Sequence, residues 1–126
     1  MATLTLTTEN HDKTVEDGIV LIDFWAGWCV PCQRFAPIFE DSSDTHEDVT
    51  FAKVDTEAEQ SLAAAAGITS IPTLMAFRDK VLVFSQPGAL NATQFGELVE
   101  AVKGLDMKAV HEQIAQQQAQ GAPGAE

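Results

Sequence analysis

Ile19-Val20-Leu21-Ile22-Asp23-Phe24-Trp25-Ala26-Gly27-Trp28-Cys29-Val30-Pro31-Cys32 is the stretch on which the reading of this chain turns. Its first seven residues form a nearly continuous apolar run, the pattern of a strand buried on both faces. Its end is a Cys-x-x-Cys pair opening the helix that follows. A cysteine at a helix start feels the partial positive charge of the helix N-terminus, which favours thiolate over thiol. The second cysteine lies about one turn further on the same face, within reach of the first. Cys29 and Cys32 are the only cysteines in the chain, and the spacing reads as a reversible dithiol/disulfide pair.

Two other uses of such a pair are weaker. A structural zinc site wants four ligands, and only His11, His46 and His111 remain to complete one. None forms a closely spaced His pair, and His46 sits in a polar, acidic stretch that reads as solvated, so no metal site is expected. A purely structural disulfide is disfavoured because its four-residue loop removes little entropy from the unfolded chain.

The flanking sequence alternates between strand and helix patterns. Residues 1–7 alternate polar and apolar like a short strand, and residues 8–17 suit a short helix or turn. After the motif, Phe35, Ile38 and Phe39 cluster on one face of a helix over residues 30–47, with Pro37 expected to kink it. Val49 to Val54 reads as a second buried strand, and Glu57 to Ala66 as an Ala-rich helix stopped by Gly67. Residues 73–77 and 81–84, separated by Arg78-Asp79-Lys80, form an antiparallel hairpin. Asn91 or Thr93 caps a last amphipathic helix carrying Phe95, Leu98, Val99 and Val102. The order β-α-β-α-β-α-β-β-α defines an α/β fold, a central mixed sheet with helices on both faces. Residues 1–106 form one domain. Residues 107–126 are an extension: Met107, Val110 and Ile114 keep helical spacing for a short helix, and an Ala/Gln/Gly-rich mobile tail follows from about Gln116.

With 126 residues and 45% hydrophobic content the chain has room for one core. Its formal net charge of −12 argues against nucleic acid and against anionic membrane surfaces. Such a surface repels its own copies, and a monomer is expected. The N-terminus lacks a secretory signal and no segment approaches membrane-spanning length. The expected location is cytoplasmic, where a Cys-x-x-Cys pair in a β/α protein reads as redox-active.

The residues Asp23-Phe24-Trp25-Ala26-Gly27-Trp28-Cys29-Val30-Pro31-Cys32, Ala36-Pro37, Lys53-Val54-Asp55, Ile71-Pro72-Thr73 and Pro87-Gly88-Ala89 fall in one order and at separations that resemble the thioredoxin family. The resemblance covers residues 2 to about 104 and implies the thioredoxin fold. It implies a catalytic set in which Cys29, exposed at the helix start, attacks a substrate disulfide and Cys32 resolves the mixed disulfide.

Asp23 interrupts an apolar strand, where a carboxylate is costly unless paired or protonated. It is either a carboxylate at a frayed strand end or, as the resemblance implies, a buried proton acceptor for Cys32, with Lys53 as its partner. The resemblance makes Pro72 a cis-proline opposite the disulfide. It also surrounds Cys29 with a low apolar surface for substrate, made by Trp28, Val30, Pro31, Ile71, Pro72, Gly88 and Ala89; Trp25 is read as core. Val30 and Gln33 depart from the commonest family pattern, which has Gly and a basic residue there.

The implied function is general protein-disulfide reduction, with no cofactor beyond the redox-active disulfide. Electrons come from a thioredoxin reductase and pass to oxidised protein substrates at a potential of about −270 mV, the general thioredoxin value. Two alternatives stand beside it: a thioredoxin-like chaperone or scaffold binding module, and a disulfide oxidase or isomerase.

Overall fold

The structure is a computed structural model that describes residues 3–121. Ten elements follow one another: β1 (Thr3–Thr5), α1 (His11–Val15), β2 (Ile19–Trp25), α2 (Val30–Thr45), β3 (Val49–Asp55), α3 (Gln60–Ala65), β4 (Thr73–Arg78), β5 (Val81–Pro87), α4 (Ala92–Lys103) and α5 (Met107–Gly121). The five strands form one sheet in the order β1-β3-β2-β4-β5. β1, β3 and β2 run parallel, β4 pairs antiparallel with β2, and β5 pairs antiparallel with β4. The apolar strands β2 and β3 are thus placed side by side, with β2 at the centre of the sheet.

Strand alternation divides the core into two layers. Leu21, Phe51, Leu74 and Ala76 point to one face, where they meet Phe35 and Phe39 of α2 and Phe95, Val99 and Val102 of α4. Val20, Ile22, Phe24, Ala52, Val54 and Met75 point to the other and meet Val15 of α1 and Leu62 of α3. Four phenylalanines knit the first layer, the Phe35 and Phe95 rings crossing edge to face at 5.1 Å. By the same alternation, Asp23 and Trp25 share the α2 face with Leu21, and Lys53 shares it with Phe51.

Local chemistry sets the element ends. α3 begins three residues later than its apolar pattern suggests, because Asp55 accepts hydrogen bonds from the Glu57 and Ala58 N–H groups and holds a turn there. At α4, Asn91 accepts from the Gln94 N–H at 2.8 Å while the Gln94 side chain accepts from the Asn91 N–H at 3.1 Å, a complete capping box. α2 runs through Pro37 without interruption.

In the β4–β5 turn, Asp79 and Lys80 both adopt positive φ, 51° and 76°. The turn is tied back to Gly18 by Asp79 N–H donating to the Gly18 carbonyl at 2.8 Å. α5 extends further than a short helix: its Ala/Gln-rich second half continues helical to Gly121, as suits good helix formers. Asp106 caps it by accepting from the Ala109 N–H, and α5 shares a groove of about 260 Å³ with Val81, Leu82 and Val83 of the outer strand. The remainder of the expected mobile tail, residues 122–126, lies outside the described residues. No helix among the described residues is long and apolar enough to cross a membrane.

Candidate active site

β2 ends at Trp25, and the Ala26–Cys29 turn delivers Cys29 to the N-cap of α2. The turn is fixed by the backbone: Cys29 N–H donates to the Ala26 carbonyl at 3.2 Å. Thr56, just past β3, donates to the Trp25 carbonyl through both its N–H at 2.9 Å and its hydroxyl at 3.0 Å. Pro31 occupies the first turn of the helix, where a missing N–H costs nothing. Cys29 and Cys32 are disulfide-bonded, their Cα atoms 5.2 Å apart. The Cys32 N–H donates to Cys29 Sγ at 3.2 Å. That bond and the helix N-terminus both favour negative charge on Cys29 when the pair is reduced.

Burial corrects one expectation. Cys29 is not exposed: it and Cys32 are each 3% accessible, packed with Ala26 against Trp25 and Ile71. The exposed groups are its neighbours, Trp28 at 68% and Val30 at 50%. The asymmetry between the sulfurs lies in what stands behind them. Cys32 lines a partly open cleft of about 160 Å³ with Trp25, Gln33, Ala36 and Lys53, and Cys29 does not.

On the far side, the Ile71-Pro72 peptide bond is cis. Pro72 is buried and Ile71 half-buried. Gly88, at φ 106° where other residues are strained, donates its N–H to the Pro72 carbonyl at 2.8 Å. That bond joins the Gly88-Ala89 turn, which is exposed, to the proline loop. Three segments distant in sequence thus converge on the disulfide.

Asp23 lies beneath this surface, fully buried on the α2 face of β2 and in register with Lys53 of β3. Neither of its carboxyl oxygens has a hydrogen-bond partner among the described residues. Burial pushes its pKa up to about 7, and the nearby Lys53 charge pulls it down by less. The Lys53 ammonium sits 5.2 Å from the centre of the Trp25 ring, a cation–π contact. Trp25 is itself only partly buried and lines the Cys32 cleft, and its buried indole N–H has no hydrogen-bond partner among the described residues. Its role is therefore wider than core packing.

Two residues near the disulfide, Thr56 and Glu57, are not legible as site residues, and Gln33 shows in the sequence only as a departure from the family pattern. Gln33 donates its amide to the Gly27 carbonyl at 2.7 Å and walls the Cys32 cleft. Thr56 holds the end of β2, and Glu57 accepts from the Trp28 indole N–H at 3.4 Å. Only their adjacency to the motifs could have flagged them. His46, read as solvated, is corrected too. Its side chain is 17% exposed, and its Nδ1 lies 3.2 Å from the Lys103 ammonium, because the end of α2 packs beside α4. Among the described residues no group of three or more His, Cys, Asp or Glu side chains could hold a metal ion.

A mixed sheet with a Cys-x-x-Cys disulfide at a helix N-cap, facing a cis-proline loop, defines a protein-disulfide oxidoreductase that works by dithiol/disulfide exchange. Residues 2–101 match the family model described as Thioredoxin, and the chain belongs to the thioredoxin family. It is 50% identical over 120 residues to "Putative thioredoxin 2" of Streptomyces coelicolor, covering 94% of this chain and 90% of that one. It is 37% identical over 105 residues to the thioredoxin of Alicyclobacillus acidocaldarius, covering 79% of this chain and all of that one. A Plasmodium falciparum thioredoxin structure superposes with a TM-score of 0.74 at 31% identity, covering 79% of this chain and 98% of that one. The Streptomyces alignment leaves too little of the chain uncovered to omit α5, whereas the other two are shorter by about the extension.

Proposed function

We propose that the chain is a general protein-disulfide reductase of the cytoplasm, re-reduced by a thioredoxin reductase and passing two electrons to oxidised protein substrates. The observation that carries this reading is the Cys29–Cys32 disulfide at the α2 N-cap. It is flanked by exposed apolar side chains and backed by a buried carboxyl group with a pKa near neutrality.

In the reduced protein the Cys29 thiolate attacks one sulfur of the substrate disulfide. That S–S bond breaks, a Cys29–substrate disulfide forms, and the released substrate sulfur takes up a proton. Cys32 then gives its proton toward Asp23 and attacks Cys29 Sγ. The Cys29–Cys32 bond is restored and the second substrate thiol departs. Asp23 suits this task because burial keeps it protonatable near pH 7, where an ordinary aspartate could not hold a proton. Lys53 limits how far that pKa rises. Trp28, Val30, Pro31, Ile71, Pro72, Gly88 and Ala89 form the surface on which a substrate segment lies, and the Ile71 backbone offers it strand-like pairing.

The test is reduction of insulin disulfides by the protein with a reductase and its nicotinamide donor. Cys29→Ser should abolish turnover. Cys32→Ser should accumulate a mixed disulfide through Cys29, seen as a mass adduct. Turnover retained in Cys29→Ser would overturn the reading.

A further inference from the structure

We infer that the redox end of this chain selects polypeptide disulfides flanked by lysine or arginine. The inference rests on the reductase reading above and adds the chemistry of the partner. It begins with where charge is missing. The chain holds 19 acidic and 7 basic residues, yet residues 24–33, 60–77 and 81–96, 44 of the 126, contain no Asp, Glu, Lys, Arg or His. At the chain's 21% average, about nine charged residues would fall there.

All three runs meet at the disulfide. The first holds Cys29 and Cys32. The second supplies Ile71, packed against the cysteine cluster. The third supplies Gly88, bonded to the Pro72 carbonyl. The surface these three runs contribute at the redox end is therefore an uncharged window in a chain of net charge −12, with Asp23 buried beneath it and Lys53 lining the cleft behind Cys32.

Within the window, Trp28 and Ile71 wall a groove of about 480 Å³ with Thr56, Gln60, Ala63 and Ile68. The charged group hydrogen-bonded at its border is acidic, exposed Glu57 accepting from the Trp28 indole N–H; exposed Arg34, next after Gln33, is a basic group beside the window. An uncharged surface accepts a segment without desolvating an ion, so contact discriminates little among neutral sequences. Approach is different. A negative field around a neutral window attracts cations and repels anions over a Debye length, about 10 Å at moderate salt. That distance spans the few residues on either side of a bound disulfide. Such steering changes association rates by about 10- to 1000-fold at low salt and fades as salt rises. The favoured partner thus has a neutral segment around its disulfide and basic residues flanking that segment.

The test uses three peptides with one uncharged, disulfide-closed core, flanked at both ends by Lys, Ala or Glu pairs. The protein is reduced beforehand, and second-order rates of peptide reduction are followed by tryptophan fluorescence. Each rate is divided by that peptide's rate with dithiothreitol, which removes differences in the peptide's own reactivity. At about 20 mM ionic strength the Lys peptide should react about tenfold or more faster than the Glu peptide, with Ala between. At about 500 mM the ratio should fall below about threefold. Glu57→Lys should narrow the low-salt ratio. Equal rates, a faster Glu peptide, or a ratio that salt does not change would overturn the inference while leaving the reductase reading intact. Failure to reduce any of the three peptides would overturn both.

Discussion

At the carboxyl ends of β2 and β3, the Asp23 carboxyl group and the Trp25 indole N–H are buried without a hydrogen-bond partner among the described residues. At the opposite end of the sheet two basic groups, Arg78 and Lys103, are fully engaged. Arg78 points one nitrogen, Nη1, at the carbonyls of Val102, Lys103 and Leu105 at 2.8, 3.0 and 3.1 Å, closing the C-terminus of α4. Nearby, the Lys103 ammonium reaches both His46 Nδ1 and Asp48 Oδ2 at 3.2 Å. An unpaired buried polar group costs stability and keeps its reactivity, while a paired one does the reverse. The redox end carries a stability cost that suits the proton transfer proposed for Asp23, and the other end ties α2 and α4 to the sheet.

The largest expected effect is at Asp23. Its folded pKa, about 7, lies above the ordinary value of 3.8. Between those values the folded protein holds a proton that the unfolded chain releases, so rising pH favours unfolding. The folded state carries no such cost below about pH 4; the cost accumulates through about pH 7. Asp23→Asn removes it, and the variant's stability relative to the parent should rise by on the order of 4 kcal/mol between pH 4 and pH 8. Urea unfolding of the oxidised proteins across that range measures it. Resolution of the mixed disulfide should slow in the same variant. A parallel pH dependence in the two proteins would remove the burial cost from the account.

Arg78→Met should lower stability by about 2 kcal/mol, since it takes a charged donor from three carbonyls. Exchange rates should stay within about twofold of the parent, because Arg78 lies at the far end of the sheet. A loss of exchange rate would erase the division between the two ends. Asn91→Ala breaks the capping box of α4 and should cost about 1 kcal/mol in thermal or chemical unfolding. The smallest change sharpens the comparison from the other side. Lys80 holds φ at 76° in the hairpin turn, where glycine is unstrained, so Lys80→Gly should stabilise by roughly 0.5–1 kcal/mol. No gain in unfolding midpoint would mean the turn is not under that strain.

Much of this was legible in the sequence because it is local. The apolar runs of β2 and β3, the Cys-x-x-Cys helix start and the Asn91 cap each declare themselves within a few residues. The cis bond at Pro72 was reached only through family resemblance, since nothing local distinguishes it. What failed to show depends on distant partners. Cys29 is covered by Ile71, 42 positions away in the chain, and no local pattern reports that contact. His46 reads as solvated from its acidic neighbours until α4 brings Lys103 beside it. The second half of α5 does not declare itself by hydrophobic spacing, because a Gln/Ala-rich segment has little to bury, though its helix propensity is high.

The most direct test of the central claim is the equilibrium of the Cys29–Cys32 pair against a graded series of glutathione buffers, read by tryptophan fluorescence. Trp28 and Trp25 flank the disulfide and report its state. A reductant of the thioredoxin type should titrate near about −270 mV. A potential near about −180 mV, the range of disulfide isomerases, would contradict the reductase account and make the oxidase or isomerase reading the better one.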